Sequence, residues 1–343
     1  MKMLRYISVI ILFLISLETM PQENSCAFKL EEAESLYETG MLDSIPSMLR
    51  SCINNDGFDD EELARAYKLL ILTYLFEDYI EMAELNMLKF LKEFPEYELK
   101  ATDPVEFTYL YQSFETIPTF SVGFIGGGNY SMVRIIEPYP TDGSSSSYQG
   151  DYSAGLYFQA GLKLNKYITE EIDIELDILY TRKTFDYTNE QLDYITRYTE
   201  DLQMLSFPLS GTYDFKLGNL YPYARVGVNL DYIFSAKADL FNDYDNDALD
   251  KKDSDVDLME GGDRNEYHIS ALLGGGLKFY FKKGYLMLDL RYSYNFTNAV
   301  NGENRYNNFK LGKYNYVDDD FAVNNFMFSV GYVIPFYKTK QSK

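Results

Sequence analysis

Over the second two thirds of the chain, apolar and polar residues alternate with a period of two. Ile172, Ile174, Leu176, Ile178 and Tyr180 alternate with Asp173, Glu175, Asp177 and Thr181. Leu286, Leu288, Leu290, Tyr292, Tyr294 and Phe296 alternate with Met287, Asp289, Arg291, Ser293 and Asn295, and Ala224, Val226, Val228 and Leu230 with Arg225, Gly227, Asn229 and Asp231. This is the pattern of strands with one apolar face. Eight such segments are expected, near residues 118–134, 152–165, 171–186, 201–215, 221–235, 266–282, 285–298 and 321–337. Short turns, Asn165 to Glu170, Lys216 to Leu220 and Lys283-Gly284, alternate with long polar loops, including one between the third and fourth strands. An even number of strands with that alternation predicts an antiparallel transmembrane barrel. A soluble eight-stranded barrel is the structural alternative, and it would carry its apolar residues inward. Aromatic residues near strand ends, among them Tyr180, Tyr213, Phe215, Phe279, Phe281 and Phe336, fit interfacial girdles and favour the membrane form.

The first third reads differently. Lys2 and Arg5 precede an apolar run from Ile7 to Leu17, so residues 1–22 read as an export signal, too short in its apolar core to span a bilayer. Residues 26–116 have helical periodicity and acidic helix starts, such as Glu31, Glu32 and Glu34, which suit the positive end of a helix dipole. Helices are expected over about Lys29 to Gly40 and Asp43 to Ile53, then from Ala64. Asp103-Pro104 reads as an N-cap before a last helix. Export places Cys26 and Cys52, the chain's two cysteines, in an oxidising compartment, where one disulfide is expected; two unpaired buried thiols are the alternative. From Ala64 on, Tyr67, Leu70, Tyr74, Ala83 and Pro95 are spaced as in a tetratricopeptide repeat, which this segment resembles; Ile71 and Phe90 stand where that repeat carries small residues. The overall class is therefore α+β, a small all-α module of helical hairpins followed by an eight-stranded antiparallel barrel over 118–338 and a tail, 339–343.

Composition narrows the chemistry. A formal net charge of -22 in 343 residues argues against a nucleic-acid partner, because the surface repels phosphates. With His268 the single histidine, no metal site, cofactor or catalytic centre is expected, and the chain reads as no enzyme. The acidic segment from Ser235 to Glu266 alternates Asp in a manner that can supply oxygens to calcium, but it lacks the glycine and glutamate of an EF-hand loop; a solvated, mobile loop is expected. Inside so narrow a barrel, Lys163, Asp173, Glu175, Asp177, Arg225, Asp231, Lys278, Asp289 and Arg291 are expected to form a paired lumen network. The glycine runs Gly126 to Gly128 and Gly274 to Gly276 are expected to permit tight curvature or close packing.

Gly155 to Lys163 leading to Asp177 to Tyr180, then Leu205 to Leu209 before Tyr213, and a closing strand with Gly331, Ile334 and Phe336, resemble the outer-membrane β-barrel family of Bacteroidota described as PorT-like, within the wider OmpA-like group. The resemblance implies fold and location, with the outer-membrane bilayer as partner, and no single activity. The expected function is an anchor or scaffold that presents a periplasmic helical module to an envelope or secretion protein. Because the module carries 20 acidic and 7 basic residues over 27–116, its partner is expected to be basic or reached through a metal ion. A narrow small-solute barrel and a lipid hydrolase using His268 are the alternatives.

Overall fold

The computed structural model describes residues 23–139, 150–190, 194–217, 220–244, 247–281 and 283–341. The expected export signal, residues 1–22, lies outside them. The chain forms two compact units, one made of the residues up to Ile117 together with those from Tyr337 on, the other of Pro118–Phe336.

The first unit contains α1 (Glu23–Glu38), α2 (Ile45–Asn54), α3 (Asp60–Phe76), α4 (Ile80–Glu93) and α5 (Val105–Gln112). Asp59 caps α3 by accepting from the Glu61 and Glu62 amides, both at 2.8 Å, while the Glu62 carboxylate accepts from the Asp59 amide, a reciprocal box that satisfies amides the helix leaves free. Leu30, Ala33, Ile45, Leu49, Ala66 and Leu70 bury one face of the bundle, and Tyr67, Ile71, Met87, Phe90 and Phe107 another. Cys26 and Cys52 form the disulfide, both inside helices, because α1 starts at Glu23, six residues earlier than the periodicity predicted. Asp103 is not the cap of α5. Its carboxylate lies 2.5 Å from Lys68 Nζ and accepts from the Tyr97 hydroxyl and the Lys100 amide, so a cation and two donors take the oxygens that the α5 amides would have used. The residues after Phe336 also belong to this unit: the Gln341 amide donates to Glu84 at 2.7 Å, Tyr337 donates to Glu96, and Lys340 pairs with Glu115 at 3.0 Å.

The second unit is a closed sheet. Strands β1 (Phe114–Glu137), β2 (Asp151–Tyr167), β3 (Ile172–Glu190), β4 (Tyr194–Asp214), β5 (Tyr221–Tyr244), β7 (Tyr267–Phe281), β8 (Gly284–Asn295) and β9 (Asp320–Gln341) pair in a ring, and short β6 (Lys251–Asp257) pairs with the far part of β5. The faces settle which kind of barrel this is. Along β3, Asp173, Glu175 and Asp177 are at most 1% exposed, while Ile172, Ile174, Leu176 and Ile178 are 36–46% exposed and point outward. A soluble barrel would have the opposite arrangement. Ile172 to Tyr180 spans nine residues, about the length a tilted strand needs to cross a bilayer. Above it the outer face turns charged at the Arg182–Asp201 pair, 2.7 Å. Aromatics ring both limits: Phe120 stacks on Phe336 and Tyr213 meets Phe215 at one, and Phe158 and Phe234 flank Tyr180 at the other.

Two expected loops are not loops. Strands β3 and β4 continue past the bilayer limit, leaving only residues 191–193 between them, since strand pairing needs no apolar outer face in water. Most of the described part of the segment from Ser235 to Glu266 is paired strand rather than loop. β5 runs on to Tyr244 after a register shift beside Phe234, β6 pairs with it, and Val256 and Leu258 are buried, so apolar anchors two positions apart hold the acidic segment down. Three of its carboxylates are engaged as follows: Asp253 with Lys313 at 3.2 Å, Asp255 with Lys237 at 3.3 Å, and Asp257 with the Met259 amide. Among the described residues no group of three metal-ligating side chains is present. In the wall, a Cβ on Gly127 would strike the Phe328 carbonyl and one on Gly276 the Leu288 carbonyl, so glycine permits the close strand approach there.

In the helical unit, burial alone would raise the Asp103 carboxyl, but Lys68, Tyr97 and the Lys100 amide outweigh it and hold it below its ordinary 3.8. A carboxyl with a depressed folded pKa stabilises the fold fully above its unfolded pKa and loses that contribution as pH falls through the folded value. Helical melting of the full-length protein is therefore expected to weaken below about pH 4. An Asp103→Asn variant, less stable at neutral pH, should show a flatter acid limb; equal limbs in circular dichroism would exclude the pair.

Candidate functional site

The lumen is the chemically distinctive part of the barrel, and strand register assembles it. Lys163 lies opposite Asp177, Arg225 opposite Gly274, which in turn faces Arg291, and Asp231 lies opposite both Ser206 and His268. Because side chains alternate, residues two apart on one strand share the interior, and charges from six strands point into the bore. Lys163 Nζ is 2.5 Å from Glu175 and 3.2 Å from Asp177. Arg225 lies 2.6 Å from Glu175 and 3.0 Å from Asp289. Arg291 pairs with Asp177 at 2.6 Å and also with Asp289, which accepts from the Tyr223 hydroxyl. Towards the end with short turns, Lys278 bridges Asp214 at 2.7 Å and Asp173 at 3.2 Å. Towards the other end, Asp231 takes Lys183 at 3.1 Å, the Asn229 amide at 2.8 Å and the Ser206 hydroxyl.

All nine residues read from the sequence as lumen-facing are buried. Six of them, Lys163, Glu175, Asp177, Arg225, Asp289 and Arg291, join in one network, while Lys278 with Asp173 and Asp231 with Lys183 form separate groups on either side of it. Asp214, Lys183 and Tyr223 bond to these groups as well and were missed. Parity was the available signal: Lys183 shares the face of Asp177, and Asp214 that of Ser206. Beside the network a cavity of about 10 Å³, bordered by Gln159, Lys183, Asn229 and Asp231, has room for about one water. His268 lies inside, 1% exposed, with Nδ1 3.3 Å from the Asn295 amide nitrogen, and the Ser206 hydroxyl is donated to Asp231.

A second buried charge cluster closes the end of the barrel that carries the long loops. Arg264 holds Glu200 through Nε at 2.8 Å and Nη2 at 2.7 Å, and Asp318 through Nη1 at 2.9 Å and Nη2 at 2.8 Å, while Tyr198 and the Asp263 carbonyl complete its contacts. It pins two loops to β4 beside an apolar core of Phe185, Leu202, Leu240, Leu258, Tyr316 and Phe321. Nothing in the spacing of residues 200, 264 and 318 announces it.

Removing one partner from a buried pair strands the other charge. Arg225→Ala is expected to lower the unfolding free energy in lipid vesicles by about 3–5 kcal/mol, read from urea titration. Arg264→Ala should leave the barrel folded by heat-modified gel mobility but expose residues 250–266 and 299–319 to protease. An unchanged urea midpoint for the first variant would mean that the lumen charges are already solvated.

The family model for the outer membrane protein beta-barrel domain matches residues 110–301. Among solved structures, the N-terminal β-barrel domain of Pseudomonas aeruginosa OprF is similar at 13% identity over 63% of this chain and 97% of its own, with a TM-score of 0.28. Ail of Yersinia pestis is similar at 13% identity over 64% and 100%, TM-score 0.28, and Outer Membrane Protein W of E. coli at 15% over 63% and 97%, TM-score 0.28. No curated protein matches the sequence. With its family model covering more than half of the chain, and with an outward apolar, inward charged closed sheet, this chain belongs to the outer membrane protein beta-barrel domain family.

Proposed function

We propose that this outer-membrane barrel is a closed anchor that presents its N-terminal helical unit to a second envelope protein in the periplasm. The observation that carries the reading is the filled lumen: charged pairs occupy the bore, and the cavity beside them admits about one water. Solute passage needs a continuous wet path, which such a packing does not offer. Catalysis by His268 is disfavoured because the Ser206 hydroxyl is committed to Asp231. Connectivity supports the periplasmic assignment. β1 begins and β9 ends at the same end as the short turns, and short turns face the periplasm in this class of barrel. The helical unit, disulfide-linked and acidic, suits an oxidising compartment.

In planar bilayers the full-length protein is expected to give no stepwise conductance, and reproducible channels that Arg225 or Lys278 substitutions block would overturn the closed-anchor reading. In cells, a photoreactive residue at Asn54 or Glu38 of the helical unit should form protein adducts. Adducts from the exposed residues Tyr306 or Phe309 alone would place the partner on the other side of the membrane.

A further inference from the structure

The helical unit holds a groove whose charge is opposite to that of the unit as a whole. It is a concavity of about 280 Å³ between α2 and α4, floored by Tyr67, Leu70 and Tyr74 of α3. Arg50, Lys89 and Lys92 line it, with Glu93 the one carboxylate among its lining residues. Residues 27–116 contain only seven basic side chains. Two are spent on ion pairs, Arg65 with Glu34 and Lys68 with Asp103, both at 2.5 Å. Three of the remaining five line this groove, all exposed and with no carboxylate at pairing distance among the described residues.

Salt screens charges beyond about 8 Å at physiological ionic strength, so a ligand seated in the groove feels these cations more than the 20 carboxylates spread over the module. The floor adds apolar surface and two phenols, which suits a chain with side chains on alternate faces better than a small ion. We infer that the groove receives an extended acidic peptide segment, with carboxylates meeting Arg50, Lys89 and Lys92 and an apolar side chain resting on Tyr67 and Leu70. The overall acidity of the module pointed to a basic partner; the local charge of the groove points the other way. This inference rests on the scaffold reading and supplies the partner's chemistry.

The test uses full-length protein in nanodiscs and a short fluorescein-labelled peptide of repeating Glu-Leu-Asp-Phe, followed by anisotropy at physiological salt. Saturable binding is expected, together with a loss of about tenfold in the Lys89→Glu/Lys92→Glu variant. Lys29→Glu/Lys100→Glu changes the net charge equally but away from the groove and should bind like the parent. Both pairs are exposed or half-buried, and an unchanged helical melting curve verifies folding. The inference is overturned by absent binding, by equal binding of the peptide with Lys in place of Glu and Asp, or by equal losses in the two variants. It is also overturned if phosphatidylglycerol vesicles displace the peptide, since an anionic headgroup would then be the ligand. Failure of the peptide with cellular adducts still forming at Glu38 sinks the groove assignment alone, whereas absence of adducts anywhere on the helical unit sinks the scaffold reading.

Discussion

Arg225 sits inside the barrel wall with Glu175 and Asp289 at ion-pair distance, and the rest of the lumen is arranged around the need to keep such charges partnered. Moving an ion from water into a protein interior costs several kcal/mol, recovered only when geometry supplies counter-charges. Here each carboxylate of the network touches a cation, and Glu175, Asp177 and Asp289 each touch two. The central ion pairs join β2, β3, β5 and β8, and Lys278 of β7 ties to β3 and β4. A barrel whose opposite strands are tied through its centre has little freedom to widen, which is the physical basis for reading it as an anchor.

How much of this was legible in the sequence depends on the range of the interaction. Parity is local, so alternation such as that of Ile172 to Tyr180 carried the lipid face and the lumen face without reference to any partner, and its recurrence in eight segments carried the strand count of the ring. It also put the nine lumen charges on one side of the wall, where the structure buries them. Lys183 and Asp214 were readable by the same rule but sit beyond the stretch of clearest alternation, Lys183 past the buried Leu179 and Thr181 on β3, and Asp214 at the end of β4. The Arg264 cluster was not readable, because three residues from separate segments meet only after the ring has closed.

The remaining differences share one cause. Outside the bilayer limits a strand has no obligation to alternate apolar with polar, so β3, β4 and β5 extend through sequence that looks like loop. The acidic segment after Ser235 looked solvated by composition, yet Val256 and Leu258 are enough to bury its inner edge in the core beside Phe321. Asp103 repeats the lesson at smaller scale: a side chain with the right type for a helix cap bonds instead to Lys68, thirty-five residues away. Composition averages over such choices, and it does not resolve the helical groove, where Arg50, Lys89 and Lys92 of an acidic module lie together.

The central claim is that the lumen is closed and dry enough to keep its charges from solvent. Amine labelling of the folded protein in lipid vesicles, read by mass spectrometry residue by residue, addresses it without mutation. Lys163, Lys183 and Lys278 are at most 4% exposed, whereas Lys89 and Lys92 are open to water. The account expects the three lumen lysines to stay unmodified until the barrel unfolds while Lys89 and Lys92 react at once; labelling of Lys163 at the rate of Lys89 would contradict it.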